Sequence, residues 1–173
     1  MVYLVRHAHA GSQKRWPGPD HDRPLSVRGE RQAIGLLARF NGEPVARILS
    51  SPTLRCRETV VPLSRERAVP IELLDALDVH APVEVLLELL ADPSTRDAVL
   101  CGHGEQIGRL LRLLADAAGA DGPLPREKGA TWVLDTSTGN PRATRYLPPL
   151  QRKRPPAGPV RALSPARLAQ RAL

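Results

Sequence analysis

The chain has 173 residues, of which 42% are apolar and 25% charged, and its formal net charge is +7. This length is typical of one domain with its own core, and the composition excludes a fibrous or intrinsically disordered chain. No apolar run approaches the roughly 18 residues of a membrane-spanning helix, so no membrane partner is predicted. The first residues already read as a strand, without the features of a signal peptide, which predicts a cytoplasmic protein.

The excess positive charge is concentrated at the C-terminal end. Residues 148–173 contain six Lys or Arg and no Asp or Glu, which leaves about +1 for the rest of the chain. This distribution does not favour a basic nucleic-acid-binding face, and no specific nucleic-acid partner is predicted. We expect a domain over residues 1–150 and a basic, Pro-rich C-terminal arm or tail over 151–173.

The first half of the chain predicts two strand-helix units. "MVYLVR" is a buried strand, followed by a loop over residues 8–24 that is rich in Gly and Pro. An amphipathic helix over 26–40 has Ser26 as its N-cap. A second strand over 45–50 leads into a second helix, for which Ser51 is the predicted N-cap and Pro52 the first helical residue.

The second half continues the alternation. It predicts a third strand over 68–74, which Pro70 restricts to a sheet edge, a helix over 82–90, a fourth strand over 97–102 and a helix over 105–119. "GATWVLDT" and "RATRYLP" then alternate around "STGN", which is typical of a terminal hairpin. Strands alternating with helices predict an α/β protein, a three-layer α/β/α sandwich with a mainly parallel sheet.

Four chemically distinctive side chains follow three of these strands. Arg6 and His7 end the first strand, Arg55 lies in the first turn of the helix after the second, and His103 follows the fourth. Ligands of open α/β sheets bind beyond the carboxyl ends of the strands. Two guanidinium groups and two helix N-termini at that edge suit a phosphate group. The two cysteines, Cys56 and Cys101, are in no paired motif and are expected to be reduced.

The two histidines are assigned different tasks. His7 directly follows a buried strand and is therefore held rigidly, as in-line attack on phosphorus requires, and it is the predicted nucleophile. A protonated His103 would stabilise the charge that develops on the phosphoryl oxygens. His9 lies further into the loop and is the weaker candidate for attack.

Four segments resemble the motifs of a known family in the expected order: "LVRHAHA", "DRPLSVRGERQA", "ILSSPTLRCRET" and "AVLCGHGEQI". Together they cover about residues 2–147 and resemble the histidine phosphatase superfamily, which has the phosphoglycerate-mutase-like fold. The small size is similar to the phosphohistidine phosphatases. The "RHA" variant and the "YLPP" ending are similar to the histidine phosphatase domain that follows a Nudix domain in some actinobacterial proteins, although this chain contains no Nudix box.

The resemblance implies that His7 is the phosphorylated residue and that Arg6, Arg55 and His103 form the phosphate pocket, with a loop contact from Ser12 or Gln13. It implies no metal and no cofactor. The usual Gly of the motif is Ala8 here. The general acid is not fixed by the motifs: the segment after the third strand offers Asp75 and Asp78, beside Glu72 and His80. A phosphohistidine substrate needs no strong acid, since imidazole is already a good leaving group.

The predicted function is a metal-independent phosphohydrolase that acts on a phosphorylated small molecule, a nucleotide or a phosphoprotein. Two alternatives stay open. One is a catalytically weak module that binds phosphate or a phosphopeptide. The other is a metal-dependent hydrolase using His7-x-His9, although arginines at the strand ends repel a metal ion. The sequence does not predict the oligomeric state.

Overall fold

The computed structural model describes residues 1–122 and 124–151, and in this part the chain forms one six-stranded sheet and four α-helices. The strands are β1 (Val2–Arg6), β2 (Arg47–Ser50), β3 (Ile71–Leu73), β4 (Ala98–Gly102), β5 (Thr131–Asp135) and β6 (Arg142–Leu147). The helices are α1 (Val27–Arg39), α2 (Leu54–Arg67), α3 (Val83–Ala91) and α4 (Gly104–Ala118). None of these helices is long and apolar enough to cross a membrane. The predicted C-terminal arm, apart from Gln151, lies outside the described residues.

The strand order is β3-β2-β4-β1-β5-β6. The first four strands in this order run parallel, whereas β5 and β6 form the predicted antiparallel hairpin at one edge. β1 and β4 are central neighbours, and Arg6 is in register with Gly102. This register brings the residues that follow both strands, His7 and His103, to the same point of the carboxyl edge.

Alternate residues of the strands contact opposite helix layers, as the twofold periodicity of a strand requires. Val2 and Leu4 of β1 pack with α3 and α4, while Tyr3 and Val5 pack with α1 and α2. The sheet is therefore covered on both faces. The three-layer α/β/α sandwich predicted from the sequence is confirmed, and so is the edge position of β3.

Two local predictions are wrong. The second helix begins at Leu54 with Thr53 as N-cap, not at Pro52 with Ser51 as N-cap. Ser51 still continues the sheet, since its N–H donates to the Cys101 carbonyl, and its hydroxyl is engaged by His103. The third strand is limited to Ile71–Leu73, because Ala68 adopts a left-handed conformation that ends α2 and is incompatible with a strand.

Helix α1 begins as predicted. The Ser26 side chain accepts a hydrogen bond from the Gly29 N–H, which satisfies one of the free donors of the first turn. The Ser26 N–H in turn donates to the carbonyl of His9. The start of this helix is thus attached to the loop that leaves β1.

Candidate active site

The backbone around His7 is held by hydrogen bonds from three directions. Its N–H donates to the Gly102 carbonyl of β4, at 3.0 Å, and its carbonyl accepts from the Gly129 N–H, at 3.1 Å. The next N–H, that of Ala8, donates to the Thr59 hydroxyl of α2, at 2.9 Å. His7 is therefore fixed in position by the sheet, by α2 and by the segment before β5.

The side chain of His7 is buried, and its hydrogen bonding determines which ring nitrogen is free. Nδ1 lies 2.8 Å from the Ala8 carbonyl oxygen, which only accepts, so Nδ1 carries the proton. Nε2 is then left with its lone pair. Burial, with smaller effects of His103, Arg55 and Arg6, lowers the pKa of His7 to about 3. The ring is neutral at pH 7, which is the form that can act as a nucleophile.

His103 lies beside it, with 5.4 Å between the two ring centroids and an edge-to-face arrangement. Its Nε2 is 3.1 Å from the Ser51 hydroxyl, and its Nδ1 is 3.4 Å from Nη2 of Arg55. A guanidinium group only donates, so Nδ1 accepts in this geometry and the proton lies on Nε2. The protonated His103 expected from the sequence stays a prediction.

Arg55 is buried and lies between His103 and the loop that precedes α1. Its Nη1 donates to the Asp20 carbonyl at 2.6 Å, and its Nη2 is 3.0 Å from the Asp20 carboxylate. The same carboxylate is 2.8 Å from Nε of Arg23, which is also buried. The Arg55 Nε is buried without a partner in the described structure. Arg55 thus shares the Asp20 carboxylate with Arg23, and its Nε is available to donate.

Arg6 approaches the site from the opposite side. Its Nη1 donates to the Arg126 carbonyl at 2.5 Å, and its Nε is buried without a partner among the described residues. The guanidinium lies directly over Gly104 at the start of α4, where any side chain would overlap it. Glycine at this position is therefore needed for the observed placement of Arg6.

The other predicted site residues are not brought into contact with the histidines. Ser12 and Gln13 are exposed in the loop after β1. Asp75 is exposed, and Asp78 accepts a hydrogen bond from the His80 N–H. Their segment does approach the site through its backbone, because the Ala76 carbonyl accepts from Gln106 of α4.

Sequence reasoning missed three groups of this site. Asp20 balances Arg55, Ser51 holds His103, and Thr59 positions the backbone after His7. Ser51 and Thr59 are both part of the quoted segment "SSPTLRCRET", which was the available signal. Nothing in the loop sequence "PDHDR" distinguishes Asp20 from Asp22 as the partner of Arg55.

His9, the second histidine of the metal-ligand alternative His7-x-His9, is hydrogen-bonded to the start of α1. Nδ1 of His9 is 2.7 Å from the Ser26 hydroxyl, and the ring lies at the start of α1. Within residues 1–122 and 124–151, no three side chains of the His, Cys, Asp or Glu types are clustered as a metal site. Cys56 and Cys101 are both buried and unbridged in this part of the chain.

A groove of about 870 Å³ lies elsewhere, between the outer faces of α1 and α2. Its lining includes Val27, Ile34, Leu54 and Val61 but none of the histidines or arginines described above. This groove is therefore not where the charged and titratable side chains of the candidate site converge. They converge at the carboxyl edge of the sheet.

Comparison with known proteins agrees with this geometry. Residues 2–78 match the model of the histidine phosphatase superfamily (branch 1). The putative phosphohistidine phosphatase SixA from Agrobacterium tumefaciens is 31% identical, with a TM-score of 0.68 over 86% of this chain and 97% of that one. The protein histidine phosphatase SixA in complex with tungstate has the same TM-score at 21% identity, covering 84% of this chain and 95% of the other.

A curated relative has a different description. The 8-oxo-(d)GTP phosphatase of Mycolicibacterium smegmatis (strain ATCC 700084 / mc(2)155) is 31% identical over an alignment of 160 residues, and the match covers 88% of this chain. The chain spans about half the length of that relative, 49%. The family and the fold predicted from the sequence are confirmed by these matches. The chain belongs to the histidine phosphatase superfamily.

Proposed function

We propose that this protein transfers phosphoryl groups from a substrate to water through a phosphohistidine intermediate on His7. One observation supports this most directly: the bond from Nδ1 to the Ala8 carbonyl leaves a neutral ring with its Nε2 lone pair free, beside His103 and two arginines. Nucleophilic catalysis requires such an activated and oriented group. Residues 1–150 are proposed as the catalytic domain.

In the first step, Nε2 of His7 attacks phosphorus and forms a P–N bond. The bond from phosphorus to the leaving group breaks, and the leaving group departs with the electron pair. Arg6 and Arg55 neutralise the charge of the phosphoryl oxygens as the transition state forms. Ser51 holds Nε2 of His103, so Nδ1 is the ring atom that faces the phosphate in this proposal. Once a phosphate dianion is bound, the doubly protonated His103 ring donates a hydrogen bond from Nδ1.

In the second step, water attacks phosphorus and the P–N bond breaks. The electron pair returns to Nε2 of His7, the water proton passes to the released phosphate or to solvent, and inorganic phosphate leaves. The cycle regenerates neutral His7. In both steps the positive charge comes from arginine and histidine, so no metal or cofactor is assigned to it.

Among residues 1–122 and 124–151 no carboxylic acid contacts the two histidines, and this restricts the leaving group. Asp20 is the carboxylate that reaches Arg55, but the bonds and charges of Arg23 and Arg55 outweigh burial and lower its pKa, so it stays ionised. Asp75 and Asp78 are retained as possible acids on the adjoining segment. Substrates whose leaving group needs no proton fit best: a phosphohistidine protein, as for the SixA phosphatases, or a nucleotide polyphosphate, as for the 8-oxo-(d)GTP phosphatase.

A phosphate-binding module without turnover is the second candidate. It is favoured by one observation, that Asp20 occupies two donors of Arg55 in the structure. Hydrolysis of p-nitrophenyl phosphate separates the two candidates, since a binding module gives no turnover. A chelator in the same assay tests the metal-dependent alternative, which predicts loss of activity.

The intermediate is tested by replacing its proposed attachment site. We expect His7→Ala to lower kcat by more than about 10³-fold, because the nucleophile itself is removed. Acid-labile phosphate trapped from labelled substrate should be present on the wild-type protein and absent from this variant. His21→Ala is the matched control, since its ring is exposed and pairs with Asp22 rather than with a histidine or arginine of the site, and it should retain full turnover. Trapped phosphate on a residue other than His7 would refute the proposal.

A further inference from the structure

The positive groups around the site have a carboxylate in ion-pair contact on only one side. Arg55 and Arg23 share the carboxylate of Asp20. In contrast, no carboxylate lies within 4.0 Å of the charged groups of Arg6, Arg126 or Lys128 in residues 1–122 and 124–151. The remaining residues contain no Asp or Glu at all. We call this second group, Arg6, Arg126 and Lys128, the unbalanced side.

Backbone contacts hold the unbalanced side against the catalytic strand. The Gly129 N–H donates to the carbonyls of both Arg6 and His7, at 3.1 Å, and the Arg126 carbonyl accepts from Arg6. The Lys128 carbonyl accepts from Nε2 of Gln32, whose Oε1 accepts from the N–H of His9. Lys128 is therefore anchored directly beside the residues that follow β1, and not on a free surface loop.

The environment of the Lys128 ammonium is unfavourable for its charge. The side chain is partly buried, and burial lowers its pKa. The positive charges of Arg6, Arg23 and Arg55 act in the same direction, while Glu105 alone opposes them. Like charges assembled without a partner destabilise a folded protein, and an anion bound among them relieves the repulsion.

We infer that Lys128 and Arg6 form a second anion subsite, which binds the phosphate group next to the one attacked by His7. The ligand class that fits two adjacent anion subsites is a phosphoanhydride, such as a nucleoside diphosphate or triphosphate. This inference rests on the proposed function and identifies Lys128 as a specificity-determining residue of the same site.

The chemistry of a phosphoanhydride agrees with the groups present. When Nε2 of His7 bonds to the terminal phosphorus, the bridging P–O bond breaks and its electron pair stays on the bridging oxygen. The departing phosphate gains one negative charge and needs a cation rather than a proton donor. Lys128 supplies that cation, which is consistent with a site where no carboxylic acid of the described residues contacts the histidines.

The experiment measures binding of a diphosphate analogue that cannot be hydrolysed, so it does not depend on turnover. The full chain is titrated with methylenediphosphonate, in which a carbon atom replaces the bridging oxygen of pyrophosphate, and, separately, with inorganic phosphate, by calorimetry at constant ionic strength. We expect the diphosphonate to bind about tenfold more tightly, as one further charge-assisted contact allows. Lys128→Gln should reduce the ratio of the two affinities to near one. Lys128→Arg, which keeps the charge, should restore most of it.

Lys14→Gln is the matched control, because Lys14 is exposed in the loop after β1 and should leave both affinities at wild-type values. Thermal unfolding of each variant verifies that it is folded. A wild-type ratio near one, or a ratio that Lys128→Gln leaves unchanged, would overturn the second subsite. Tight binding of the diphosphonate that depends on Lys128, without hydrolysis of any phosphorylated compound by the wild type, would refute the proposed function while leaving the subsite intact.

Discussion

Arg55 and Arg6 flank the same two histidines but have opposite electrostatic surroundings. Arg55 is buried, and Asp20 accepts from both of its terminal nitrogens through a carbonyl and a carboxylate oxygen. Arg6 is partly exposed, bonds the Arg126 carbonyl and has no carboxylate partner within the described residues. Burial lowers the pKa of Arg6, and of the charged neighbours Glu105 opposes this shift while Arg126 adds to it.

This difference in surroundings predicts that the two arginine charges have different effects on the stability of the fold. Removing one partner of a buried pair is costly for the fold, because the other charge is left uncompensated. Removing a cation from a group of like charges costs the fold little, since it also relieves repulsion. We therefore expect the Arg55 side to contribute both to stability and to the proposed phosphate binding, and the Arg6 side to serve the proposed binding alone.

The largest effects are expected when each arginine is replaced in turn. Arg6→Gln and Arg55→Gln should each lower kcat/KM for p-nitrophenyl phosphate by about 10²-fold or more, as for loss of a donor to a developing oxyanion. Urea unfolding should then separate them. Arg55→Gln should lower the free energy of unfolding by about 1–3 kcal/mol, and Arg6→Gln should change it by less than about 0.5 kcal/mol. Equal destabilisation by the two variants would contradict the distinction.

A smaller effect is expected when Arg6 is displaced rather than removed. A Cβ at position 104 would overlap the Arg6 guanidinium, so Gly104→Ala should move that group and lower kcat/KM by about tenfold. The matched control is a double-mutant cycle. In an Arg6→Gln background the same alanine should have little further effect, because the group it displaces is gone. Additive losses would show that Gly104 acts independently of Arg6.

The smallest effect is expected for Asp20, the acidic partner of Arg55 and Arg23. Asp20→Asn should lower the free energy of unfolding by about 1 kcal/mol at pH 7, a modest value because the carboxylate is about one-third exposed. Arg23 and Arg55 lower the pKa of Asp20, so its stabilisation is present above its unfolded pKa of about 3.9 and is lost as the pH falls below that value. The wild type and the variant should converge in acid.

Asp22→Asn is the control for this measurement. Asp22 is two residues further along the loop, and its contact with His21 is at the surface. We expect a change of less than about 0.5 kcal/mol for it at pH 7. A larger loss for Asp22→Asn than for Asp20→Asn would show that the pairing of Arg55 has been assigned to the wrong residue.

Local sequence was sufficient wherever a property depends on neighbouring residues. The fully buried β1 and β4 follow from short apolar runs, and the start of α1 follows from Ser26 as an N-cap. It failed at Ser51, which was predicted to cap α2. The hydroxyl of Ser51 instead contacts His103, a residue 52 positions away, and no local pattern contains that information.

The sequence by itself determined the alternation of strands and helices, the family motifs and the identity of His7, Arg6, Arg55 and His103 as candidates. Periodicity, capping and strand ends are set by adjacent residues, and parallel strands then bring their carboxyl ends to one edge. Only the tertiary structure decided which groups balance these charges. Asp20 reaches Arg55 from a separate loop, and Lys128 is placed beside Arg6 by hydrogen bonds of Gly129 to β1 and the residue that follows it. Electrostatic partners depend on distance in space, and the loops that set those distances carry no periodic signal.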